Sequence, residues 1–123
     1  MPQQSALDLV RAYQDAWTGK EFEAAAGFLA EDFVHEAPGA RYTSAREWLP
    51  ALARFGDRIG PGWRPVAAFG NDTEALLMYE LFAISGEPLP LTVDYFTVRD
   101  GKIASETLVF DTRSFGAALA ASI

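Results

Sequence analysis

The stretch Val93–Arg113, VDYFTVRDGKIASETLVFDTR, decides the fold. Two runs rich in β-branched and aromatic residues flank Arg99-Asp100-Gly101-Lys102, and an Asp-Gly pair between such runs is a strong hairpin signal because its residues tolerate positive φ. The spacing predicts strands over residues 89–98 and 102–110, with Asp111 placed to cap a short final helix through its carboxylate. Upstream, Gly70-Asn71-Asp72 and Ser85-Gly86-Glu87-Pro88 supply two more turns, predicting strands near 63–69 and 74–84. The C-terminal half therefore reads as an antiparallel meander.

The N-terminal half has a helical period instead. Ala6, Leu9, Val10, Tyr13, Ala16 and Trp17 recur on one helical face, with Ser5 and Asp8 as a capping pair and Thr18-Gly19 as the stop. A second short helix carries Phe22, Ala25, Ala26 and Leu29 and ends near Glu31-Asp32. The run Phe33 to Pro38 then reads as a strand. Ser44 and Glu47 cap a third helix bearing Trp48, Leu49, Leu52 and Phe55, in which Pro50 predicts a bend or a late start. The fold class expected is α+β: a cone-shaped, curved antiparallel sheet packed on N-terminal helices and enclosing a pocket, one domain over residues 1–123.

Composition narrows the partners. A formal charge of −7 without clustered Lys and Arg argues against a nucleic-acid site or an anionic membrane surface. The start, Met1-Pro2-Gln3-Gln4-Ser5, lacks the basic segment and apolar run of a secretory signal, and with no cysteine in the chain the expectation is a cytoplasmic protein. One histidine and no thiol make a catalytic zinc site unexpected, and no phosphate loop or dinucleotide fingerprint is present. Cofactor-independent chemistry without a metal is the expectation.

Three stretches, VRAYQDAWTGKE (Val10–Glu21), FLAEDFVHEAPG (Phe28–Gly39) and Val93–Arg113, taken in order and spacing, resemble the nuclear-transport-factor-two-like superfamily, which includes ketosteroid isomerases and SnoaL-like polyketide cyclases. The resemblance implies a central pocket for a small apolar carbonyl compound, steroid- or polyketide-like. It implies that Tyr13 and Asp94 stand where ketosteroid isomerases hold a tyrosine and a protonated aspartate that together form an oxyanion hole. Ala37 occupies the place of that family's general base and cannot take a proton.

His35, the chain's only histidine, shares a strand face with Ala37 and is the candidate replacement as general base or acid, since an imidazole titrates near neutrality. Glu106, on one strand face with Leu108 and Phe110, is a candidate to orient the His35 ring or to act as base itself. Trp17, Phe33, Trp48, Met78, Phe82, Phe96, Leu108 and Phe110 are expected to line the pocket, with Glu80 beside Met78 and Phe82. Two readings stand open: an isomerase, cyclase or hydratase using His35, Asp94, Tyr13 and Glu106, or a non-catalytic ligand-binding or protein-interaction domain. Because the strands are apolar on both faces and one helical layer covers only one, the outer face is expected to form a homodimer through Tyr79, Leu81, Tyr95 and Val109.

Overall fold

The computed structural model describes residues 5–121. Helix α1 (Ala6–Thr18) begins where Ser5 Oγ accepts the Asp8 N–H at 3.1 Å, and it buries Leu9, Val10, Tyr13, Gln14 and Trp17 along one face. Lys20, at φ 66°, turns the chain into α2 (Phe22–Ala26). Strand β1 (Leu29–Ala37) and the short β2 (Ala40–Tyr42) follow, joined by a turn in which Gly39 has φ 77°. Helix α3 (Ala45–Gly56) is capped by Ser44 and runs through the exposed Pro50. The meander comprises β3 (Trp63–Gly70), β4 (Glu74–Leu81), β5 (Thr92–Arg99) and β6 (Lys102–Phe110). Helix α4 (Thr112–Ala121) starts where Asp111 accepts the N–H groups of Arg113 and Ser114.

The six strands form one sheet in the order β2-β1-β6-β5-β4-β3. Every neighbouring pair is antiparallel except β1 and β6, which run parallel, so the sheet is mixed rather than purely antiparallel. Helix α1 packs over β3 to β6, and α3 covers β1 and β2. On the covered face one row of paired residues crosses all six strands: Tyr42, His35, Glu106, Phe96, Ala75 and Gly70. The opposite face carries two apolar rows, Phe69-Leu76-Tyr95 and Ala67-Met78-Val93-Val109, of which Phe69 and Val109 are more than half exposed.

Several expectations are corrected. The second helix ends at Ala26, because Leu29 already pairs with Ile103 in β1. Strand β4 stops at Leu81 and β5 starts at Thr92; the chain between turns through Gly86 at φ 93° and is held by the Phe82 to Pro88 bridge and by backbone hydrogen bonds such as Ala83 N–H to the Glu87 carbonyl at 2.8 Å. Helix α3 starts directly at Ala45, so Pro50 causes no late start. Most consequential is β4, whose faces are reversed. Ala75, Leu77, Tyr79 and Leu81 point to the helices, whereas Met78 and Glu80 lie outside. Tyr79 and Leu81 are thus core residues and not part of an outer surface, while Tyr95 and Val109 are on that surface as expected. Among the described residues no helix is long and apolar enough to cross a membrane.

The link from α3 into β3 is tightly constrained at Gly60. Its N–H donates to the Phe82 carbonyl at 2.8 Å, and a Cβ there would stand 2.6 Å from the Ala83 carbonyl oxygen. Backbone cannot yield as a side chain can. Gly60→Ala is expected to lower stability by about 1–3 kcal/mol, read as a reduced midpoint in thermal unfolding followed by circular dichroism.

Candidate functional site

The row of paired residues on the covered face ends beneath a cavity of about 270 Å³. Its floor is sheet: His35 and Ala37 from β1, Tyr79 and Leu81 from β4, Thr92 from β5, and Glu106, Leu108 and Phe110 from β6. Its walls are Tyr13 and Trp17 of α1, Trp48, Leu52 and Phe55 of α3, and Tyr42 of β2. Phe115 of α4 completes the rim, its ring 5.2 Å from that of Phe110 and 6.2 Å from that of Phe55. Apolar side chains dominate the lining, and the polar groups among them gather on one side.

Those polar groups are held from several elements. His35 Nδ1 lies 2.9 Å from Glu106 Oε1, a contact that follows from their direct pairing across β1 and β6. The imidazole stacks on Trp48 with ring centroids 3.7 Å apart and planes within 12°. Trp48 Nε1 donates to the Tyr13 hydroxyl at 3.0 Å, so that hydroxyl keeps its own proton to give. Behind them the Tyr79 hydroxyl donates to Asp94 Oδ2 at 2.6 Å. Gln14 stands beside Tyr79 and accepts from Trp17 Nε1 at 3.0 Å. His35 Nε2 has no hydrogen-bond partner among the described residues and belongs to a side chain in the cavity wall.

Burial sets the protonation states. Loss of solvation lowers the His35 pKa to about 4 and raises that of Glu106 to about 7. Asp94 is raised well above the usual carboxylate range, first by burial and then by the charge of Glu106. The Tyr13 and Tyr79 hydroxyls are raised for the same first reason. Above neutral pH the arrangement is therefore a neutral imidazole with Nδ1–H donated to an ionised Glu106. Nε2 is left as the basic nitrogen, and both phenols stay protonated.

Of the residues expected to act, the structure brings Tyr13, His35 and Glu106 together in the cavity wall. Asp94 is not in that wall; it lies one step deeper, 1% exposed, behind Tyr79 and Glu106. Among the expected lining residues, Trp17, Trp48, Leu108 and Phe110 do line the cavity. Phe33 and Phe96 are fully buried core, Phe33 near His35 and Phe96 edge-on to Tyr13. Met78, Glu80 and Phe82 stand away from it: Glu80 accepts from Arg64 Nε at 2.9 Å, and Phe82 lies beneath the Arg64 guanidinium. Tyr79 and Leu81 take the places given to them, the alternation of β4 having been read out of phase. Tyr42 was missed because β2 is too short to signal itself, and Phe115 because its helix faces the cavity with one residue. Among the described residues no group of three or more His, Cys, Asp or Glu side chains is placed to hold a metal ion.

Comparison with known proteins agrees with this architecture. Residues 10–106 match the family model of the SnoaL-like domain. A protein from Kribbella flavida DSM 17836 is 32% identical, each chain covering 95% of the other, with a TM-score of 0.84. A protein of ketosteroid isomerase-like fold from Catenulispora acidiphila DSM 44928, solved in complex with trimethylamine, is 20% identical with a TM-score of 0.76, over 93% of this chain and 92% of that one. An epoxide hydrolase of M. tuberculosis, described as LEH-like, is 21% identical with a TM-score of 0.77, over 95% of this chain and 90% of that one. No curated protein matches the sequence.

The shifted groups make stability depend on pH in opposite senses. Glu106, raised from 4.5 to about 7, binds its proton more tightly when folded, so its contribution is complete below pH 4.5 and is lost as pH rises through about 7. His35, lowered from 6.5 to about 4, contributes above pH 6.5 and loses that contribution as pH falls through about 4. Glu106→Gln removes the first dependence, and with it the charge that helps to raise Asp94, an effect of the same sign. Relative to the parent protein, the variant is expected to gain stability steadily from about pH 5 to pH 8, by an amount of the order of 3 kcal/mol, in urea unfolding followed by tryptophan fluorescence. A constant difference across that range would refute the assignment.

Proposed function

We propose, from the premise that this chain belongs to the SnoaL-like domain family, that its cavity is a cofactor-independent active site in which His35 moves a proton on a small, largely apolar carbonyl compound. The observation that carries the reading is the buried His35–Glu106 pair, 2.9 Å apart, with Nε2 left unpartnered in the wall of an apolar cavity. Such a nitrogen can take a proton from the carbon beside a carbonyl. The imidazolium so formed lies between the Glu106 carboxylate and the face of Trp48, both of which stabilise its charge. The electron pair left by the proton moves onto the carbonyl oxygen, and the Tyr13 hydroxyl is the donor available to that oxygen.

Return of the proton to another carbon completes an isomerisation, and attack of the enolate carbon on a second carbonyl, whose oxygen takes the proton back from the His35 imidazolium, completes a cyclisation. Delivery of water to a conjugated double bond would use the same base. A cavity of about 270 Å³ lies just below the range of pockets for drug-sized ligands, about 300–1,000 Å³, which favours a compact guest over an extended polycyclic one. His35→Gln keeps the size and polarity of the side chain but removes its basicity. It is expected to slow deuterium exchange into a panel of small cyclic enones and ketones by about 10²-fold or more, with the dissociation constant changed only a few-fold. Undiminished exchange in the variant would reduce the cavity to a binding site, the second reading.

The apolar rows on the outer sheet face support a further part of the proposal, that a second copy of the chain covers them. Met78 and Val93 pair directly at the centre of those rows. The double substitution Met78→Asp with Val93→Asp is expected to convert a dimer to a monomer in sedimentation velocity, and a parent protein that sediments as a monomer would overturn the assembly.

A further inference from the structure

The Asp94 carboxyl has no part in the proton transfer just described, yet it is among the most completely buried polar groups of the chain. Asp94 pairs with Leu108 across β5 and β6, while Glu106 pairs with Phe96, so the two acids are diagonal neighbours on the covered face. The Asp94 side chain is close enough to hydrogen-bond the Glu106 carboxyl. Asp94 Oδ2 accepts from Tyr79, but Oδ1, equally buried, receives no donor from the protein. Two ionised carboxylates cannot bond to each other, since neither has a hydrogen to give. A buried carboxylate with an orphaned oxygen beside a second negative charge is costly.

A single proton resolves the conflict. We infer that Asp94 is a positioning residue kept in its acid form, its Oδ1–H donated to the Glu106 carboxylate, so that Glu106 stays ionised and able to hold the Nδ1–H of His35. Every hydrogen in the chain then has one direction: Tyr79 to Asp94, Asp94 to Glu106, and His35 to Glu106. The groups facing Asp94 are Tyr79 from β4, Glu106 from β6, His35 from β1 and Tyr13 from α1, and His35 is the sole one that could carry positive charge. Burial and the Glu106 charge both favour the acid form, and the hydrogen bond from Asp94 draws the Glu106 pKa down against its own burial. This role differs from the one the resemblance implied for Asp94, because Tyr79 and Glu106 stand between it and the cavity. It rests on His35 and Glu106 being the working pair, but its test needs no substrate.

The experiment is a nuclear magnetic resonance titration of the full chain with carbon-13 in the Asp and Glu carboxyls and nitrogen-15 in the single imidazole. In the parent protein one Asp carbon, absent from Asp94→Asn, is expected to show the chemical shift of a protonated acid at neutral pH. Asn also offers an N–H to Glu106 and an oxygen to Tyr79, so in Asp94→Asn the Glu106 midpoint should stay within about half a pH unit of the parent's. Asp94→Ala removes the donor and should raise that midpoint by about one pH unit or more, with the His35 signal following it. An ionised Asp94 at neutral pH, or a Glu106 midpoint falling by more than about one pH unit in Asp94→Asn as a negative charge is removed, would overturn the inference. The parent spectrum decides the matter if Asp94→Ala fails to fold. Loss of carbonyl chemistry in every assay would sink the enzymatic reading and leave this result standing.

Discussion

The parallel register of β1 on β6 is the constraint from which the site follows. It sets His35 directly opposite Glu106, so that a base and an acid from strands 71 residues apart in sequence meet at 2.9 Å. Shifting either strand by one residue would turn its member of the pair to the outer face, leaving the other without its partner. The same row places Tyr42 on one side of His35 and Phe96 on the far side of Glu106. Geometry and environment are therefore delivered together by backbone pairing.

Packing above the sheet then gives the pair its character. Trp48 covers the flat face of His35 and spends its N–H on Tyr13, which ties α3 to α1 across the top of the polar cluster. With water excluded on that side, the imidazole is held neutral and the carboxyl is held near neutrality. A histidine in bulk water would be a stronger base taken alone, yet one backed by an ionised carboxylate gains the charge compensation that an exposed ring lacks. The aromatic wall thus supplies dielectric as well as shape.

Much of this was legible in the sequence, and the gaps have definite causes. The Asp100-Gly101 turn, the helix caps at Ser5 and Ser44, and the inward phase of Glu106, Leu108 and Phe110 could be read because each is a local signal. His35 and Glu106 could be picked out as polar residues among apolar companions. Strand β4 could not be phased, since Leu76 and Met78 on one face are as apolar as Leu77 and Leu81 on the other. The clue was Glu80, which belongs with Arg64 on the outer side because a carboxylate needs a partner or water. Asp94 was expected to act in the pocket but lies one step deeper, because depth depends on how Tyr79 and Glu106 fill the space above it. A parallel pairing between strands so distant in the chain leaves no trace in periodicity.

The two rims of the sheet also govern how molecules can meet. At one rim β2 is three residues long. At the other, β3 carries Pro65, which lacks an N–H, and its register slips between Pro65 and Ala67. Neither rim offers the long, regular row of free donors and acceptors on which a foreign strand could zip. Lateral growth into ribbons is blocked at both ends. What the sheet leaves open to another molecule is its broad outer face and not its rims.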